Sequence, residues 1–107
     1  MKNPITVKAF EITGAPRLDP IRAYLQDLMP GQGRITIECY GAAWACYFAS
    51  IGSGRTIEQF VREAGADYLV NALDAARGTR GLVRERAYLR RIVEAVQAEL
   101  RQEGSVA

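Results

Sequence analysis

With 107 residues, of which 49% are apolar and 24% charged, the chain has the size and balance of one globular domain, residues 1–107, that needs no staples to hold a core. A formal charge of +2 is too small to imply an electrostatic partner, and the absence of histidine removes the commonest general base and the commonest metal ligand.

Ile5 to Thr13 (ITVKAFEIT) is β-branched and aromatic and stops at Gly14-Ala15-Pro16, the pattern of a strand. Its phase reads two ways. Ile5 and Val7 share one face and Phe10 and Ile12 the other, as a bulge near Ala9 or burial of both faces would produce. Pro20 to Leu28 also carries two signals. Asp19-Pro20 suits a helix start, with Asp as N-cap and Pro at the first helical position. Against that, Ile21, Ala23 and Leu25 alternate with Arg22, Tyr24 and Gln26. The turn Met29-Pro30-Gly31-Gln32-Gly33 that follows favours a strand, paired with Arg34–Tyr40 in a meander.

Arg34 to Phe48 (RITIECYGAAWACYF) reads as a complete β-hairpin around which the rest is organised. With Gly41-Ala42 as a type II′ turn, Cys39 faces Trp44, Ile37 faces Cys46 and Ile35 faces Phe48. Alternation then puts Ile35, Ile37, Cys39, Trp44, Cys46 and Phe48 on one side, and Arg34, Thr36, Glu38, Tyr40, Ala43, Ala45 and Tyr47 on the other. In this register the only two cysteines, Cys39 and Cys46, are diagonal neighbours roughly 7–8 Å apart, so free buried thiols and a reducing cytoplasm are expected. The uncharged run from Cys39 to Gly54 is 16 residues, short of the about 20 that span a bilayer. Nothing like a signal peptide follows Lys2 and Lys8, so no membrane contact is expected.

Gly52-Ser53-Gly54 breaks the chain before three helices. Thr56 and Gln59 match a capping box, and Ile57, Phe60, Val61 and Ala64 form a stripe that ends at Gly65. Asp67 to Ala76 reads as a second short helix carrying Leu69, Val70 and Leu73. Thr79 then caps a long third one, about Arg80 to Gln102, striped by Leu89, Val93, Val96 and Leu100. At 1.5 Å per residue the last helix is roughly 34 Å long, enough to lie across the sheet or to reach another molecule, including a second copy in a homodimer. The expected fold is α+β: an antiparallel meander of three to four strands, then two short helices and one long C-terminal helix.

The chemistry on offer is sparse. Two cysteines on one buried face fit no zinc pattern, and no carboxylates pair in an apolar setting, so no catalytic residue, metal or cofactor is expected and the chain does not read as an enzyme. Gly52-Ser53-Gly54-Arg55-Thr56 sits where a phosphate loop would. Ala49 stands where the first glycine belongs and Arg55 replaces the lysine, which leaves a strand-to-helix connector.

Two surfaces could bind a partner. On the polar side of the sheet, Arg22, Tyr24, Arg34, Glu38, Tyr40 and Tyr47 combine tyrosine with arginine, the residues enriched where proteins meet; nothing there follows the RNA-recognition pattern. The bland alternative is cross-strand pairing on a half-exposed sheet. The second surface is charged. Residues 1–76 hold seven basic against eight acidic residues, whereas residues 77–107 hold seven against four. Arg77, Arg80, Arg84 and Arg91 recur at helical spacing, and Arg86 and Arg90 add an i, i+4 pair. Such an array suits phosphates or an acidic partner, although Glu85 and Glu94 interrupt it.

Leu18-Asp19-Pro20-Ile21, the block Pro30-Gly31-Gln32-Gly33-Arg34-Ile35-Thr36-Ile37-Glu38-Cys39-Tyr40-Gly41 with Ala43-Trp44 and Tyr47, and Tyr68-Leu69 resemble a family of small accessory proteins of tailed bacteriophages and prophages. Tyr88-Leu89-Arg90-Arg91-Ile92-Val93 adds a weaker likeness. The resemblance implies expression inside a bacterial host cell from a mobile element, and it carries over no established activity and no catalytic residue. By analogy with small phage proteins that block host machinery, it implies a non-enzymatic inhibitor or adaptor acting on a bacterial protein complex such as a CRISPR-type defence. The alternative is a nucleic-acid-binding accessory protein that uses the arginine-bearing helix.

Overall fold

Period-two alternation dominates the first half of the chain, and the structure turns it into one sheet. It is a computed structural model that describes residues 1–77 and 83–105. Strands β1 (Lys8–Ile12), β2 (Ile21–Met29), β3 (Gln32–Cys39) and β4 (Ala42–Phe48) form an antiparallel meander in the order β1-β2-β3-β4. Helices α1 (Ile57–Glu63), α2 (Ala66–Arg77) and α3 (Val83–Ser105) follow, with α3 the long one. The α+β architecture is the expected one.

The contested segment is strand. A helix would have spread Ile21, Ala23 and Leu25 around its circumference; a strand gathers them on one face, where all three are buried. The phase of β1 is resolved without a bulge. Ile5 and Val7 precede the strand and are exposed, while Phe10 and Ile12 pack against the core opposite Ala23 and Ile21.

The hairpin turn differs from expectation. Its central residues are Tyr40 and Gly41, not Gly41 and Ala42, so Cys39 faces Ala42, Ile37 faces Trp44, Ile35 faces Cys46 and Gly33 faces Phe48. Both turn residues have positive φ, 49° at Tyr40 and 77° at Gly41, which makes a mirror-image type I′ turn whose twist matches that of the strands it joins. The slide from the expected register is an even number of residues, so the two faces keep their membership. Ile35, Ile37, Cys39, Trp44 and Phe48 are buried and Cys46 half-buried. The cysteines, both free, are no longer diagonal neighbours: Cys46 lies four residues beyond Cys39's partner Ala42, on the order of 13 Å along the strand. The Pro30-Gly31 turn between β2 and β3 cannot be a mirror-image turn, because proline fixes φ near −65°. A register shift between Asp27 and Met29 takes up the mismatch.

The three helices cover the inner face. Thr56 caps α1 through the expected capping box: its hydroxyl accepts from Gln59 N at 3.1 Å, and Gln59 Oε1 accepts from Thr56 N at 3.0 Å. The helix stops at Glu63, with Ala64 rather than Gly65 at its end. Two distant side chains finish it. Asp27 on β2 accepts from Ile57 N at 2.7 Å, and Gln97 on α3 donates to the carbonyls of Val61 and Ala64 at 3.0 and 2.7 Å. Each satisfies a backbone group that a seven-residue helix leaves open. Gly33 lets the helix seat, since a Cβ there would stand 2.7 Å from Ile57 Cβ.

Leu69, Val70 and Leu73 of α2 and Leu89, Ile92, Val93, Val96 and Leu100 of α3 join the strands in one buried cluster. Each fully buried aliphatic side chain contributes about 1.5–3 kcal/mol, which explains why α3 turns its stripe inward. The stripe is therefore core within this chain. The cap at Thr79 and the start of the helix at Arg80 lie outside the described residues. Among the described residues no helix is long and apolar enough to cross a membrane.

Candidate interaction face

Register alone assembles the outer face of the sheet. Glu11, Arg22, Glu38 and Ala43 form one row across the four strands; Ala9, Tyr24, Thr36 and Ala45 form the next; Gln26, Arg34 and Tyr47 form a third. Five of the six expected contact residues thus share this face, and Tyr40 stands at its corner in the hairpin turn.

Most of these side chains are tied to each other. Arg22 Nε lies 3.1 Å from Glu11 Oε2. A hydrogen bond to the Glu38 carboxylate holds the Tyr24 phenol above its usual pKa, with desolvation adding to it. Tyr47 donates its hydroxyl to Gln32 Oε1 at 3.0 Å yet remains 46% exposed. Tyr40 differs. It is 80% exposed in a left-handed conformation that costs a bulky residue about 1–2 kcal/mol, where Asn or Gly would sit with little strain. With Glu11, Arg22, Glu38 and Ala43 it lines a shallow groove of about 300 Å³.

The arginine array does not survive as a single face. Arg77 belongs to α2, so it shares no helix with Arg84 and Arg91, and Arg80 lies outside the described residues. Arg86 binds Asp74 at 3.0 Å and also Asn71; Arg90 pairs with Asp67 and Glu94. All but the Arg90–Glu94 pair, which lies within α3, lace α2 to α3. Arg91 lies over the Tyr88 ring at 5.9 Å, and Arg84 is exposed.

The glycine-rich connector is a structural joint. Arg55 turns back onto α1, where it pairs with Glu63 and lies 6.0 Å from the Phe60 ring centre. At the start of α1 the N–H groups of Ile57 and Gln59 are taken by the side chains of Asp27 and Thr56. Among the described residues no group of three metal-ligating side chains occurs.

One exposed aromatic is missing from the contact residues expected from the sequence. Tyr68 of α2 is 56% exposed and stacks on Phe48, with ring centres 6.2 Å apart at 30°. Its place beside the stripe residues Leu69 and Val70 was the available signal, but the strand it would meet was not legible.

No match to the chain emerges among the curated proteins or the solved structures. A family model described as a phage family matches residues 2–82, which span the whole sheet, α1, α2 and both halves of the outer face. The chain belongs to that phage family.

Proposed function

We propose that this phage-family protein acts by binding and not by catalysis, as an inhibitor or adaptor on a bacterial protein complex such as a host defence of the CRISPR type. The observation that carries the reading is Tyr40: a fully displayed tyrosine held at positive φ at the corner of an uncovered sheet face. Local strain of this kind is kept where the surrounding structure enforces it and a function uses it. Tyr47 and Arg34 continue the same surface, and tyrosine and arginine are the side chains that most often anchor protein interfaces. The nucleic-acid reading draws less support, because Arg86 and Arg90 are engaged with acids of their own chain.

The test is recovery of a complex from a bacterial lysate by the tagged protein, repeated with Tyr47→Ala and Arg34→Glu. Each variant should lower recovery of the specific partner about tenfold or more, with stability changed by less than about 1 kcal/mol. Undiminished recovery in both variants removes the sheet face from the proposal. A salt titration on generic DNA and RNA addresses the rival, since phosphate contacts weaken steeply with salt.

A further inference from the structure

Strand β4 ends the sheet, and none of the backbone hydrogen bonds described outside the regular elements reaches it. In a two-residue hairpin the pair that closes the turn is doubly hydrogen-bonded, and the pairs alternate from there. Cys39–Ala42, Ile37–Trp44 and Ile35–Cys46 therefore bond inward to β3, while Ala43, Ala45 and Tyr47 aim their N–H and C=O groups away from it. These three residues are also the exposed ones on the strand. The strand has seven residues with no charge and no proline, and its pairing with β3 has no bulge, so it carries within itself none of the devices that usually protect an edge. Every tyrosine more than a third exposed lies around it: Tyr40 before its start, Tyr47 on it, and Tyr68 against Phe48.

We infer that β4 pairs antiparallel with β4 of a second copy about a twofold axis at Ala45, joining two sheets into one of eight strands. This goes beyond the binding role above and does not depend on it. The geometry is self-complementary, as a twofold interface requires. Ala45 meets its own counterpart, and Tyr47 meets Ala43 of the other copy, so the outward groups make about six new hydrogen bonds. The outer rows also match in charge. Gln26–Arg34–Tyr47 of one copy continues into Ala43–Glu38 of the other, which places basic Arg34 and acidic Glu38 on either side of the seam, with no like charges adjoining. Beneath the sheet, Cys46 is only half-buried between buried Trp44 and Phe48, and in this pairing it faces Trp44 of the second copy. A strand-edge contact of this extent is small for a protein interface, and dissociation on the order of micromolar is expected.

Sedimentation equilibrium of the full chain over micromolar to millimolar concentration is the test. Wild type should shift from monomer to dimer, with no larger species. Ala45→Pro removes an N–H that β3 does not use and should leave a monomer at every concentration. Ala45→Lys sets two like charges directly opposite each other and should weaken the dimer at least tenfold without altering the monomer's thermal unfolding. A wild type that stays monomeric throughout, or a dimer that persists undiminished in Ala45→Lys, overturns the inference.

Discussion

The two edges of the sheet are built on opposite principles. β1 is five residues long and carries Lys8 on its inner face, where the ammonium group reaches Glu58 of α1 and Glu103 of α3. On its outer face Glu11 pairs with Arg22. An inward charge on a short edge strand repels an incoming strand, because pairing would bury it. β4 is longer, uncharged and flanked by exposed tyrosines. Among the described residues, one edge strand carries an inward charge and the other carries none.

The largest expected difference between the edges lies in the core beneath them. Trp44→Ala should lower stability by about 3–5 kcal/mol, whereas Phe10→Ala on half-buried β1 should cost clearly less; chemical denaturation measures both. Equal losses would show that β1 is as firmly seated as β4.

Tyr40→Asn sharpens the comparison from the turn. Relief of the left-handed strain should stabilise the chain by about 1 kcal/mol, a rise of roughly 4–8 °C in Tm. The same variant should weaken partner binding. A stabilised protein that binds undiminished would mean the tyrosine is tolerated and not used.

Lys8→Leu is the direct attempt to abolish the asymmetry. Its ion pairs are partly exposed, so stability should change by no more than about 1 kcal/mol. Association through β1 should appear, however, seen as species larger than a dimer in sedimentation. If no new association follows, the inward charge is not what protects that edge.

Alkaline pH probes both sides by the smallest change. Donating hydrogen bonds to Glu103 and Glu58 raises the Lys8 pKa, and desolvation with a hydrogen bond to Cys39 pushes the Tyr88 hydroxyl up to about 12. In each case the folded state holds its proton more tightly than the unfolded one. The stabilisation is therefore complete below pH 10 and falls as the pH rises towards 12. Tyr88→Phe should flatten that decline in a series of thermal melts. An unchanged slope would assign the decline to other groups.

Much of this was legible in the residues, for a reason that particular positions show. Ile35, Ile37, Trp44 and Phe48 fell on the inner face although the turn was misplaced, because sliding a strand by two leaves every side chain on its own side. The capping box at Thr56 and Gln59 is likewise local chemistry within one turn of chain. The candidate face followed from the same alternation, since Arg22, Tyr24, Arg34, Glu38 and Tyr47 needed only the correct parity. What alternation does not encode is the position of the turn. Tyr40 is held at positive φ by a type I′ turn whose twist matches that of the two strands it joins.

The sequence by itself determined which residues of the central hairpin face inward and where the strands give way to helices. Tertiary structure alone decided that Asp27 and Gln97 close the two ends of α1 and that Arg86 and Arg90 are spent on α2. It also decided which strands stand at the edges of the sheet. Periodicity is a property of neighbours a few residues apart, whereas these partnerships join groups that meet only once separate elements have packed.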